Sequence, residues 1–228
     1  MAVAFDAKAF GTATTSSAVT CSLVAGTPSG VVVALSVVDT GGATISSVTA
    51  GSKSCTLVGS QAINSFWKVF VYQTTATPDA GTQTITFNLS AGVSHGAVAQ
   101  AVSVTGGDGT TPAYNFVSSA IASSNAPSQA VTCTASEGAA SFCSTGNGTG
   151  MSTTPGGSAT LIGNTDIGAG IGYGSYLFGT ANPTLSFSNS QTLDTAIVAI
   201  AFKEASAGSP VFMPAVSGAA LPNIMVTQ

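Results

Sequence analysis

Apolar and polar residues alternate with a period of two through most of this chain. In AVTCSLV (18–24) Val19, Cys21 and Leu23 alternate with Thr20 and Ser22, and in TQTITFNLS (82–90) Ile85, Phe87 and Leu89 alternate with Thr84, Thr86 and Asn88. This is the spacing of a strand with one dry face and one hydroxyl-lined face. Further strands are expected at 2–9, 30–38, 44–50, 54–59, 66–73, 95–104, 129–135, 139–143, 159–163, 168–178, 184–188 and 195–203. Turn chemistry separates them at Thr27-Pro28-Ser29-Gly30, Gly41-Gly42, Pro78-Asp79-Ala80-Gly81, Gly106-Gly107-Asp108-Gly109 and Pro155-Gly156-Gly157. No window carries a capped 3.6-residue period, so helices should be few and short. The expected fold is all-β, an antiparallel β-sandwich of jelly-roll or Ig-like type.

Four sequence echoes occur in the same order in the two halves. AVTC at 18–21 returns at 130–133, TLVG at 56–59 as TLIG at 160–163, TITFN at 84–88 as TLSFS at 184–188, and AVAQAVSV at 97–104 as AIVAIAF at 196–202. Four pairs in register imply a duplicated strand unit. The expectation is a single pseudo-symmetric sandwich over 1–204, built from units of about 1–104 and 129–204 joined by 105–128, with two small sandwiches side by side as the alternative. Residues 205–228 differ from the rest. They carry no charge, three prolines (Pro210, Pro214, Pro222) and the unpatterned apolar residues Val211, Phe212, Met213, Leu221, Ile224 and Met225. Prolines so frequent prevent a regular helix or central strand, so an extended C-terminal arm is expected. An uncharged apolar segment left in water is an association hazard, which leaves a strap along its own domain or an arm that binds a neighbour.

Charge narrows the chemistry. Of 228 residues only four are Lys and eight are Asp or Glu, with no Arg and a net charge of −4. Polyanion binding needs clustered cations, so a nucleic-acid partner is excluded. With 62 Ser and Thr, the polar surface must be made largely of hydroxyls and backbone. The longest apolar run, VVVALSVV at 31–38, is interrupted by Ser36 and is far short of the roughly 20 residues of a membrane-spanning helix. MAVAFDAKAF lacks the basic and apolar regions of a secretory signal, so with Met1 as the true start synthesis in a cytoplasm is expected.

Little catalytic chemistry is on offer. His95 is the one imidazole, no Gly-x-Ser-x-Gly elbow occurs, and the carboxylates Asp6, Asp39, Asp79, Asp108, Glu137, Asp166, Asp194 and Glu204 are isolated along the chain. No enzyme, metal or cofactor is expected. Cys21, Cys55, Cys133 and Cys143 have no Cys-x-x-Cys spacing and read as small buried hydrophobes, with a disulfide formed after release as the alternative. Trp67 in SFWKVFVY, and Tyr173 and Tyr176 in GIGYGSYLFG, are candidate glycan-contact aromatics.

The succession SSAVTCSLVAGTPSG, VVVALSV, TLVGS, VFVYQTTATPDAGTQTITFNLS, VAQAVSVTGGDGTTP and TAIVAIAFKEA resembles a family of β-sandwich domains of phage virion accessory proteins and bacterial surface proteins. Pro78, Gly81, Thr82, Thr84 and Ile85 stand in that family's turn and strand. Gly106, Gly107, Asp108, Thr111 and Pro112 stand in its loop, and Phe202 and Lys203 in its closing strand. The likeness covers roughly 4–204 and departs at Gly107, where the pattern prefers Val. It implies a structural virion protein exposed on the particle exterior, a capsid decoration or a neck, tail or fibre component. Its partners would be other virion proteins and copies of itself, with the arm as attachment. A receptor- or glycan-binding host-adhesion module and a self-assembling surface filament are the alternatives.

Overall fold

The computed structural model describes residues 1–39, 42–146 and 150–206. Val211, Phe212, Met213, Leu221, Ile224 and Met225, the expected arm contacts, lie outside the described residues. Every described element is a strand: β1 (Ala4–Phe10), β2 (Ala18–Ala25), β3 (Gly30–Val38), β4 (Ile45–Ala50), β5 (Lys53–Ile63), β6 (Trp67–Thr74), β7 (Gly81–Leu89), β8 (Gly96–Thr105), β9 (Ala113–Ser124), β10 (Ser128–Ala130), β11 (Gly138–Gly146), β12 (Thr153–Pro155), β13 (Thr160–Asp166), β14 (Gly170–Phe178), β15 (Thr184–Asn189) and β16 (Leu193–Phe202). All ladders are antiparallel.

Strand order repeats. The first eight strands form one sheet, β1-β8-β3-β6-β5-β4-β7-β2, and the second eight form β9-β16-β11-β14-β13 and β12-β15-β10. Adding eight to each strand number of the first set reproduces the order of the second. In the first half β5 pairs with β4 only at Thr49–Ser54 and Ala50–Lys53 before passing to β6, so the sheet folds over itself and β1 approaches β2 in a nearly closed, barrel-like form. In the second half β13 and β12 do not pair, and the two sheets stay separate.

Three cores fill the gaps between the resulting four layers. Val31, Val33, Leu35 and Val37 of β3 meet Leu23, Ile85 and Phe87 in the first. Val32 and Ala34 point the other way, with Val102 and Val104, onto Phe142, Val198, Ile200 and Phe202 of the second half. The opposite face of β11 and β16 packs Ala139, Cys143, Ile197 and Ala199, with Tyr173 of the adjoining β14, against Leu185 and Phe187 of β15. Strands β3, β8 and β11 are therefore covered on both faces, which is why their sequences lack clean alternation, whereas outer β2 reads exposed and buried in strict turn. Instead of one two-layer sandwich, each half closes its own core, and the shared core lies between them.

Hydrogen bonds cross that middle layer, although Gln100 Oε1 and Trp67 Nε1 within it are buried without a hydrogen-bond partner. Ser36 Oγ donates to Cys143 O at 2.7 Å, Ser144 Oγ donates to Val37 O at 3.1 Å, and Gln100 Nε2 donates to Ser36 Oγ at 2.8 Å. The serine that interrupts the apolar run at 31–38 thus ties the halves together.

The expected join 105–128 contains β9, which takes beside β16 the place that β1 takes beside β8. Both edge strands carry an irregularity, at Phe5/Ala7 in β1 and opposite Ala199/Ala201 in β9, where Asn115 takes φ 49°. The expected strand 129–135 ends at Ala130 because Pro183 brings no N–H to the ladder. The chain beyond is held by Val131 N to Pro183 O at 3.1 Å and Asn182 N to Cys133 O at 3.0 Å.

Candidate functional site

The N-terminus and the last described residues, 203–206, lie at one end of the stack. Ala205 N donates to Gly106 O at 3.0 Å, and Gly106, at φ 70°, lies so close to Ala2 that a Cβ would overlap the Ala2 carbonyl. The exit is clamped by Asp108, Pro112 and Lys203. Asp108 N donates to Lys203 O at 2.8 Å, Lys203 N donates to Pro112 O at 2.8 Å, and the Lys203 ammonium pairs with Asp108 at 3.0 Å. Asp108 Oδ1 also accepts from Thr110 N at 2.9 Å and Thr111 N at 3.0 Å, which makes the Gly-rich loop a turn anchor.

Burial works to raise the Asp108 pKa, but the Thr110 and Thr111 amides and the Lys203 ammonium more than offset it and hold the carboxyl below its usual range. A depressed carboxylate stabilises the fold above its unfolded pKa, and that contribution fades as pH falls through the folded value. Glu137, also partly desolvated, is lowered by Tyr114 and Thr134, whose amide donates to it at 2.7 Å. Melting temperature should therefore drop below about pH 4. In Asp108→Asn the drop between pH 5 and pH 2.5 should be smaller than in the unmodified chain, as read by circular dichroism; identical acid limbs would remove Asp108 from the explanation.

Three hollows open toward the other end. The largest, about 440 Å³, is the wedge where β4 and β5 part company. Phe70 and Tyr72 of β6 floor it, Ala43, Ile45 and Leu57 edge it, and Thr44, Ser60, Gln61 and Lys68 rim it. Leu57, at its edge, is 54% exposed. A second hollow of about 240 Å³ is lined by Gly150, Met151, Asn164, Thr165, Asp166 and Ile171. The third, about 200 Å³, lies between the halves beside Trp67, Ser123 and Asp194.

The candidate aromatics fall in three different settings. Tyr173 is 0% exposed, edge-on to Phe187, with its hydroxyl accepting from Asn189 Nδ2 at 3.1 Å, so it offers no ring to a sugar. Burial raises its pKa well above the usual tyrosine value. The glycines around it belong to β14, within the strand expected at 168–178, and they are small because the Ser36, Val98 and Gln100 side chains press on Gly172 and Gly174. Tyr176 stacks on Phe5 with ring centres 4.5 Å apart, with Lys8 Nζ 5.8 Å from its centre. Trp67 is half-buried, lies on Gly146 and Gly170 of the second half, and reaches the third hollow with one edge.

The other chemistry-bearing residues are dispersed. His95 is exposed at the head of β8, its amide donating to Val38 O at 3.3 Å. All four cysteines are free thiols. Burial pushes the Cys21 and Cys55 thiols up to about 12, so they stay protonated and unreactive. No group of three His, Cys, Asp or Glu side chains suited to a metal occurs among the described residues. No protein family, curated protein or solved structure matches this chain.

Proposed function

We propose that the protein is a structural module of a bacteriophage virion, a capsid decoration or a neck, tail or fibre component, that joins its assembly through residues 205–228. The clamped exit carries this reading. The chain leaves beside its own N-terminus from a fixed point made by Gly106, Asp108 and Lys203, and an uncharged apolar segment follows directly. A module tethered at one end presents its outer faces outward, and those faces are hydroxylated, as at Thr20 and Ser22 of β2 and Thr82 and Thr84 of β7. Hydroxyl coats keep a surface hydrated without the long-range fields of charged groups.

All described strands and cores lie within residues 3–205, so a chain ending at 206 keeps every one of them. Its melting temperature should match the full chain's while its incorporation into particles falls at least tenfold in a complementation assay. Undiminished incorporation of the shortened, folded chain would reject the proposal.

A further inference from the structure

The two halves build the same wedge and fill it differently. Gly42-Ala43-Thr44-Ile45 and Gly150-Met151-Ser152-Thr153 are equivalent: both glycines have positive φ, 74° and 72°. Thr44 exchanges hydrogen bonds with Ser90 as Ser152 does with Ser190, at 2.8–3.0 Å in the first pair and 3.0–3.1 Å in the second. On the facing strand the register shifts at Leu57/Gly59 in one half and at Leu161/Gly163 in the other, which sets Phe70 opposite Ser60 where Tyr173 stands opposite Asn164. Position 151 is a methionine, 6% exposed, packed with Ile171 and Tyr173. Its counterpart is Ala43, and the hollow beside that shorter side chain is the larger of the two, about 440 Å³ against about 240 Å³ for the equivalent hollow that Met151 lines.

We propose that this groove is the docking site for the C-terminal segment, residues 207–228, of a second copy of the chain. That segment would insert a methionine where the second half uses its own Met151. The inference rests on the reading of 205–228 as an attachment arm and names what it attaches to. Met151 supplies the template for the occupant: an unbranched, adaptable apolar side chain. The segment carries two such side chains beside other apolar residues, Phe212-Met213 and Ile224-Met225, and no charge. The groove has apolar walls and one charged rim residue, Lys68.

The placing of exit and groove suits a neighbour. The exit is at the end where Thr105 pairs with Ala4, whereas Lys68 of the groove pairs with Val37, near the opposite end of β3. In a head-to-tail line of copies, the end of one body that holds residue 206 therefore faces the groove end of the next. At ~3.4 Å per extended residue, a fraction of 207–228 is enough to cross a contact. Donor and acceptor surfaces differ, so a one-way contact propagates into a ring or filament, whereas reciprocal exchange of the segment closes a two-fold dimer.

The test is sedimentation velocity on the full chain from ~1 to ~100 µM, a span bracketing micromolar association. Unmodified protein should self-associate. Ala43→Met, which fills the groove from within as the second half does, should weaken association at least tenfold with an unchanged or higher melting temperature. Leu57→Glu, at a half-exposed edge position, should do the same without touching the core. If both variants associate like the unmodified chain while deletion of 207–228 abolishes association, the groove is not the receiver and the arm reading survives. If deletion has no effect either, both fail. A monomeric full chain, whether or not its groove amides at 43–45 and 60–62 are protected from hydrogen exchange by 207–228, overturns the second-copy proposal.

Discussion

Phe142→Ala is expected to destabilise the molecule by about 3–5 kcal/mol and to unfold both halves in a single transition. Phe142 is fully buried in the middle core, where it is grouped with Val32, Ala34, Val102 and Val104 of the first half and Val198, Ile200 and Phe202 of its own. Along its strand its partners are Gly174 and Val198, and glycine has no side chain to move into the space an absent ring leaves. A cavity there strips contacts from two sheets at once. Urea unfolding followed by circular dichroism and by Trp67 fluorescence should give coincident, lowered midpoints, since the one tryptophan reports the seam between halves. A first transition confined to the second half, with the other half melting at the unmodified midpoint, would show that the middle core does not couple them.

Gly96→Val should be nearly as damaging, about 3 kcal/mol, through backbone and not through lost apolar contact. Residues 95–96 and 167–168 cross with no room between them. Gly96 has φ 149° and a Cβ there would overlap Ile167 O, while Gly168 has φ 100° and a Cβ there would overlap His95 O. A side chain at either place is strained by the dihedral and wedges the halves apart beside Val38, Val98 and Ile167. Gly168→Val should do the same, and the double variant should cost less than the sum because one separation relieves both clashes. Equal melting temperatures for Gly96→Val and the unmodified chain would refute the close crossing.

Much of the fold was legible in the period-two pattern, and the reasons for the misses are physical. Outer strands such as β2 and β7 alternate because one face meets water. Strands β3, β8, β11 and β16 are apolar on both parities because they lie between two cores, so they were found by their apolar runs, but the number of layers was hidden. Strand β9, Ala- and Ser-rich and half-buried along its length, has neither signature and was taken for a join. Strand β12 has three residues and ends on Pro155, too short for any periodicity. Duplication was visible in four echoes, and the shared strand order extends it to all sixteen strands.

The candidate site was less legible, because a groove is made by what is missing. Ala43 in a Gly-rich turn carries no signal alone; only alignment of Gly42-Ala43-Thr44 with Gly150-Met151-Ser152 marks it as a vacated position. The aromatics misled for the converse reason. Tyr173 sits in a Gly-rich strand, where nothing in the sequence says which face is covered; the structure turns its ring onto Phe187 while Gly172 and Gly174 meet Ser36, Val98 and Gln100 on the other face.

Electron cryo-microscopy of the native assembly is the most direct test of attachment through the chain-end pole. The expected image has the four-layered body anchored at the end that holds Met1, Gly106 and Lys203, with added density in the wedge between Ala43 and Leu57 continuous with residues 207–228 of a neighbouring copy. Bodies whose chain-end pole faces solvent, with the wedge empty and contacts made elsewhere, would contradict both the attachment and its receiving site.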